Sequence, residues 1–147
     1  QHSLLGCQHN KGFCMSLNKK TIFLLEDDPV NFSIILTILR REGASTIHDY
    51  WGDTTFRNLR SFDVNIDLIL LDLMLPNGVT GYDVYDSIRQ DSSFEHVPIV
   101  AVSAADPDIE IPRAKEKGFQ GFISKPINRR TFPEQLADIL NGQQIWG

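Results

Sequence analysis

The sequence has little cysteine and no long apolar run. Both features limit the classes of protein to which the chain can belong. Its two cysteines are Cys7 and Cys14, so residues 15–147 contain none. That leaves no disulfide framework and favours a reducing compartment, so we expect a cytoplasmic protein. No apolar stretch approaches the roughly 20 residues that a membrane-spanning helix needs. We therefore expect no membrane segment.

Positive charge is also scarce in this chain. The 14 lysines and arginines are outnumbered by 19 aspartates and glutamates, which gives a formal net charge of -5. An acidic surface repels a phosphate backbone, so we expect no direct contact with nucleic acid. The spacing of the early histidines and cysteines (His2, Cys7, His9 and Cys14) matches no compact zinc motif.

The 147 residues fit one ordinary domain. We assign residues 1–20 to a leader that is disordered or partly non-native, residues 21–141 to the domain and residues 142–147 to a C-terminal tail. The leader mixes glycine, glutamine and serine without periodicity, and it lacks the apolar core of a signal peptide.

From residue 21 onward, strand patterns alternate with helix patterns. Short runs rich in Ile, Leu and Val predict buried strands, and proline and glycine mark the starts and ends of helices. The predicted strands are 21–25, 44–48, 66–72, 98–102 and 120–124, and the predicted helices are 29–42, 54–60, 82–90, 106–117 and 132–140. Because proline breaks a helix interior, we expect a helix start or an irregular turn near Pro112. The alternation predicts an α/β fold with a parallel sheet covered on both faces.

Charged and hydroxyl residues follow the predicted strands where four of them end. They are Glu26, Asp27 and Asp28 after the first strand, Asp72 after the third, Ser103 after the fourth and Lys125 after the fifth. Because open parallel sheets present their chemistry at the carboxyl ends of the strands, we expect these side chains to share one edge.

The residue types at this edge favour phosphoryl chemistry with a metal ion. Clustered carboxylates without His or Cys suit a hard cation such as Mg²⁺. Beside it, Asp72 could attack a phosphoryl group while Ser103 and Lys125 contact the phosphoryl oxygens. Each residue also has a plainer interpretation: Ser103 as a cap, Lys125 as a surface residue and Asp28 as a helix N-cap, which we favour for Asp28.

Four motifs in this order resemble the receiver domains of two-component response regulators. They are Leu25–Pro29, Leu70–Pro76, Val102–Ala104 and Ser124–Ile127, and the resemblance covers residues 21–140. It implies a flavodoxin-like (βα)5 doubly wound sandwich with a five-stranded parallel sheet in the order 2-1-3-4-5. The ending 122–127 is also similar to that of stand-alone receivers in cell-cycle or phosphorelay signalling.

The resemblance further implies a phosphoacceptor and a magnesium site. Asp72 would accept a phosphoryl group from a sensor histidine kinase or a phosphotransfer protein. Glu26, Asp27 and Asp72 would hold Mg²⁺ together with the backbone carbonyl of Met74. The chain would then be a signalling domain that catalyses only its own phosphorylation and dephosphorylation, not an enzyme with a separate substrate.

Three further residues would transmit the signal. By resemblance, Ser103 is the switch hydroxyl, Lys125 is the cation that faces the phosphate, and Phe122 is the aromatic residue that rotates inward on activation. A downstream protein partner would bind the face near Phe122. Receivers commonly pair through their last helix–strand face, so a homodimer is compatible with the resemblance.

The chain departs from the family pattern around the acceptor. Glu26 replaces a common aspartate, which favours metal ligation through a water, and the loop 76–81 is one residue longer than usual. In the family that this chain resembles, the positions of Met74 and Ala105 border the path of the hydrolytic water, and neither side chain here can orient that water well. We therefore expect a long-lived aspartyl phosphate.

Three other interpretations stay open at this point. A Mg²⁺-dependent phosphatase would use the same aspartate, but it usually needs a second acid where Met74 lies. A flavodoxin-like binding module would need a phosphate loop after the first strand, where Glu26–Asp28 would repel a phosphate that came without a metal. The chain could also be a receiver cut from a larger hybrid kinase or regulator.

Overall fold

Six parallel strands form the sheet at the centre of the computed structural model, which describes residues 16–49 and 65–147. The strands are β1 (Thr21–Leu25), β2 (Ser45–Asp49), β3 (Leu68–Leu71), β4 (Ile99–Ser103), β5 (Gly121–Ser124) and β6 (Ile145–Trp146). The helices are α1 (Pro29–Arg41), α2 (Gly81–Arg89), α3 (Pro107–Lys117) and α4 (Phe132–Leu140), with short 3-10 turns at Pro76–Gly78 and Ser92–Phe94. None of the helices described is long and apolar enough to cross a membrane.

The sheet order is β2-β1-β3-β4-β5-β6, and every neighbouring pair is parallel. The predicted α/β class and the order of the first five strands are confirmed. The predicted number of five strands was wrong, because β6 adds a sixth strand within the residues that we assigned to the tail. A two-residue strand is too short to show periodicity, which is why the sequence does not reveal it. The predicted helix at 54–60 lies outside the described residues.

The two faces of the sheet carry separate apolar layers. One layer packs Ile22, Leu24 and Leu70 against α1 and α4. The other packs Phe23 and Leu71 against α2 and α3. Fully burying one such aliphatic side chain contributes about 1.5–3 kcal/mol. The alternation of side chains along each strand therefore produces the doubly wound arrangement that the sequence predicts.

The packed structure begins before residue 21. Leu17 is 0% exposed and lies in the layer that contains α1. Its N–H donates to the Glu42 carbonyl oxygen at 3.2 Å, and the Ser16 hydroxyl donates to Glu42 Oε1 at 2.8 Å. Residues 16–20, which we assigned to the leader, are thus tied to the end of α1. Residues 1–15 lie outside the described part of the chain.

Helix α3 begins earlier than Pro112, so the expectation of a helix start or an irregular turn there was wrong. Asp106 is the N-cap, and its side chain accepts a hydrogen bond from the Asp108 N–H at 3.0 Å, while Pro107 occupies the first turn. This Asp–Pro start is a strong initiation signal. Pro112 is exposed, and its missing N–H removes only the bond to the Asp108 carbonyl, four residues back.

Candidate functional site

Three carboxylates meet where β1 and β3 end. Glu26 follows β1 and Asp72 follows β3, and these adjacent strands pair Leu25 with Leu71. One oxygen from each of Glu26, Asp27 and Asp72 lies within 4.8 Å of the others. Glu26 is 1% exposed and Asp72 is 6% exposed, whereas Asp27 is exposed to solvent. Three carboxylates without His or Cys are the donor set that a hard cation such as Mg²⁺ prefers, so these residues fit the predicted metal.

The ammonium of Lys125 bridges two of these carboxylates. Lys125 Nζ lies 2.6 Å from Glu26 Oε1 and 2.9 Å from Asp72 Oδ2, and the lysine side chain is only 7% exposed. The Lys125 N–H donates to the Ser103 carbonyl oxygen at 2.9 Å, which fixes where the chain leaves β5. The structure thus places Lys125 inside the acidic cluster and not on the surface.

Burial and the bridging ammonium oppose each other at Glu26. Burial raises the pKa of Glu26 from 4.5 to about 7, while the hydrogen bonds from Lys125 and from the Asp28 N–H act to lower it. Burial alone would lower the pKa of Lys125, but its hydrogen bonds to Glu26 and Asp72 outweigh that effect and raise it. The lysine therefore stays charged and supplies the positive charge that the two buried carboxylates require.

Both oxygens of Asp72 are held by the protein. Oδ2 accepts from Lys125, and Oδ1 accepts from the Met74 N–H at 3.1 Å. The Met74 side chain itself is 65% exposed. The sequence does not predict this hydrogen bond, because every residue except proline has a backbone N–H. The role of the Met74 carbonyl as a metal ligand stays a prediction.

Ser103 and Phe122 lie on the two strands beyond Asp72. Ser103 is the fully buried last residue of β4, and its Oγ accepts from the Ala105 N–H at 3.1 Å. A hydroxyl that accepts a bond keeps its own hydrogen to donate, so Ser103 can still bond to a phosphoryl oxygen. Phe122 is also fully buried, three residues before Lys125 in β5. Because the ring already lies inside the protein, this one conformation does not show a rotation. The predicted inward rotation of Phe122 on activation stays a prediction.

Asp28 has the plainer role that its position indicates. Its side chain accepts from the Val30 N–H at 3.0 Å and caps α1, as predicted. Its own N–H donates to Glu26 Oε2 at 3.0 Å. Asp28 therefore helps to orient Glu26 without joining the carboxylates of the candidate metal site.

The longer loop after Asp72 closes as a small hairpin. The Leu75 N–H donates to the Val79 carbonyl oxygen at 3.2 Å, and Asn77 and Gly78 take positive φ values of 62° and 73° at its turn. Thr80 then starts α2 through a reciprocal capping box with Asp83. Asn77 and Gly78 thus form the turn of this loop, which leads directly into α2.

Gly81 brings the start of α2 against the backbone of Asp72. A Cβ at residue 81 would lie 2.6 Å from the Asp72 carbonyl oxygen and 2.9 Å from Leu73 Cα. Both are backbone atoms, so relief requires a shift of the strand end itself. We expect Gly81→Ala to destabilise the fold by about 1–3 kcal/mol. Urea denaturation measures this loss.

The matched control for this variant is Gln90→Ala, at the exposed C-cap of the same helix. We expect the control to stay within about 0.5 kcal/mol of wild type. Equal stability of the Gly81 variant and the control would mean that the close approach of α2 to Asp72 is not required.

Comparisons with known proteins agree with this geometry. Residues 22–137 match the family model for the response regulator receiver domain. The polar-differentiation response regulator DivK of Brucella ovis is 29% identical over 121 residues, which cover 82% of this chain and 96% of that protein. The chemotaxis response regulator CheY4 of Vibrio cholerae shares the fold, with a TM-score of 0.73 at 19% identity over 83% of this chain and 99% of that one. The phosphorylated cyanobacterial phytochrome response regulator RcpA has a TM-score of 0.67 at 27% identity, over 84% and 90% of the two chains.

Proposed function

The chain belongs to the response regulator receiver family, and from that premise we propose that Asp72 accepts a phosphoryl group from a sensor histidine kinase or a phosphotransfer protein. The observation that carries this proposal is the position of Asp72. Its carboxylate is buried at the end of β3, 2.9 Å from the Lys125 ammonium and beside Glu26 and Asp27. Among the relatives, RcpA has been solved in a phosphorylated form.

The transfer is a substitution at phosphorus. A carboxylate oxygen of Asp72 forms the new bond while the P–N bond of the donor phosphohistidine breaks and the imidazole nitrogen leaves with the electron pair. Glu26, Asp27 and Asp72 would hold Mg²⁺, which when bound offsets the charge of the phosphoryl oxygens. Lys125 already contacts Asp72 Oδ2 and would pair with a phosphoryl oxygen, and the Met74 N–H keeps Asp72 oriented.

The output is a shift between two conformations. A phosphoryl group on Asp72 offers an acceptor to the Ser103 hydroxyl, which lies at the end of the adjacent strand β4. Movement of Ser103 and Lys125 would change the packing around Phe122 and bias the equilibrium toward the active state. A protein partner then binds the face near Phe122. Pairing of two copies through this face stays a prediction.

We place this exchange in the cytoplasm and regard the chain as a signalling domain without a separate substrate. The absence of cysteine from residues 15–147 agrees with a reducing compartment. The exposed Met74 side chain, two residues after Asp72, offers no second acid to protonate a leaving group. Phosphomonoester turnover is therefore not expected.

The proposal is tested by intact mass after incubation with acetyl phosphate. We expect a gain of one phosphoryl group per chain in Mg²⁺ and no gain in excess EDTA. Without the metal, the negative carboxylates repel the negatively charged phosphoryl donor. Peptide mapping assigns the modified residue. The time course after removal of acetyl phosphate measures the lifetime of the aspartyl phosphate. We expect this lifetime to be long because of Met74 and Ala105. No gain in Mg²⁺, or an equal gain in EDTA, would overturn the proposal.

A further inference from the structure

Strand β6 occupies the outer edge of β5, next to Phe122. Ile145 is paired with Gly121 and Trp146 with Phe122 in parallel register. The Gly147 N–H donates to the Phe122 carbonyl oxygen at 2.8 Å. The backbone of Phe122 is thus bonded to residues 145–147, which we group with the preceding turn residues as the β6 segment (residues 143–147).

A tight turn after α4 directs the β6 segment back along the sheet. The Gly142 N–H donates to the Ile139 carbonyl oxygen and the Gln143 N–H to the Asp138 carbonyl oxygen, both at 3.0 Å. With Gly142 at φ +93°, these bonds form a Schellman motif. Residues 143–147 therefore run in the same direction as β5.

The β6 segment covers the sheet edge on both faces. Ile145 packs against the layer of α1 and α4, and Trp146 packs against the layer of α2 and α3. Lys115 Nζ of α3 lies 5.1 Å from the centroid of the Trp146 ring, within cation–π range. Gly121 permits the close approach, because a Cβ there would lie 2.7 Å from the Ile145 carbonyl oxygen.

The β6 segment is less buried than the central strands of the sheet. Its two paired residues are only partly buried, and residues 143, 144 and 147 are exposed, whereas every residue of β3 and β4 is buried. A segment with so few buried contacts detaches at a small fraction of the free energy of global unfolding. It can therefore leave β5 while the rest of the domain stays folded.

Strand β5 connects the β6 segment to the acidic cluster. Phe122 accepts the Gly147 bond, and three residues later Lys125 bridges Glu26 and Asp72. We propose that the β6 segment is an autoinhibitory strand, which occupies the β5 edge in the resting protein and is released when a phosphoryl group on Asp72 engages Lys125. This inference rests on the proposed function of Asp72.

Release of the β6 segment defines the surface that a partner can use. It exposes the hydrogen-bonding edge of Gly121–Phe122 and frees the ammonium of Lys115, an exposed residue, from its contact with the Trp146 ring. The occupant that fits this surface is an extended protein segment that adds as a parallel strand and places an aromatic side chain against Lys115. Such a partner would replace Ile145 and Trp146 with residues of the same kind.

Hydrogen exchange of the full chain tests the release. The exchange of the Gly147 amide, which donates to the Phe122 carbonyl oxygen, is compared in Mg²⁺ alone and in Mg²⁺ with beryllofluoride, which mimics the phosphoryl group. Bound fluoride is followed separately by ¹⁹F NMR. Coupling between two sites is typically severalfold or more, so we expect exchange to be about fivefold faster or more with beryllofluoride. A bound ¹⁹F signal with unchanged exchange would overturn the autoinhibitory strand alone. Absence of a bound signal would overturn the function of Asp72 and this inference with it.

Reciprocity supplies a second measurement. If occupancy of Asp72 loosens the β6 segment, loosening the segment must tighten binding at Asp72 by the same factor. We expect Trp146→Ala to bind beryllofluoride about fivefold more tightly or more, whereas Gln143→Ala, an exposed side chain in the same segment, leaves the affinity unchanged. Equal or weaker binding by the Trp146 variant would overturn the inference, because a merely structural strand would not raise affinity when it is damaged.

Discussion

Asp72→Asn is expected to abolish the gain of a phosphoryl group from acetyl phosphate. The amide keeps the shape of the side chain, and its oxygen can still accept from the Met74 N–H, which lies 3.1 Å from Oδ1 in the wild type. The other position would then place an NH₂ group 2.9 Å from the Lys125 ammonium, where two donors face each other. An amide oxygen is also a poor nucleophile, so the acceptor is lost while the fold is kept.

The control for this variant is Asp108→Asn, which removes one exposed carboxylate from the first turn of α3. We expect the control to gain one phosphoryl group as the wild type does. A gain that persists in Asp72→Asn would place the acceptor on another residue. Thermal unfolding gives a second readout: Mg²⁺ should raise the Tm of the control more than that of Asp72→Asn, because a ligand stabilises only the folded state that binds it.

The clustering of Glu26, Asp27 and Asp72 can be predicted from the sequence because the strands that they follow are buried on both faces. Such strands appear as unbroken apolar runs, so the residue after each run marks the carboxyl edge of the sheet. Leu68–Leu71 is fully buried and ends directly before Asp72. Residue order alone thus places Glu26, Asp27 and Asp72 at one edge.

Other features depend on contacts that residue type does not encode. The Met74 N–H that orients Asp72 belongs to the backbone, and so does the hydrogen bond from the Lys125 N–H to the Ser103 carbonyl oxygen, which holds Lys125 at the end of β5 near Glu26. Proline usually breaks a helix interior. Pro112 nevertheless lies within α3, because the Asp106 cap and Pro107 start the helix five residues before it. Strand β6 has two residues, which is too few for any period to be visible.

Lys125→Met is expected to make the domain depend on a divalent cation for its stability. Methionine keeps an unbranched apolar stem but removes the charge that lies 2.6 Å from Glu26 and 2.9 Å from Asp72. Removing one partner from a buried ion pair costs about 3–5 kcal/mol, because the remaining charge stays buried without compensation. We expect a loss of this size in urea denaturation without metal.

Addition of Mg²⁺ should restore much of that loss, since the ion would then be the main positive charge among the carboxylates. The increase in stability with Mg²⁺ is therefore expected to be larger in Lys125→Met than in the wild type, where the ammonium already offsets part of the charge. Lys117→Met is the matched control. Its lysine pairs with Asp86 at 2.8 Å on the surface, and such pairs contribute about 0–1 kcal/mol. If the two variants lose the same stability without metal and respond equally to Mg²⁺, Lys125 is not the cation that holds the cluster together.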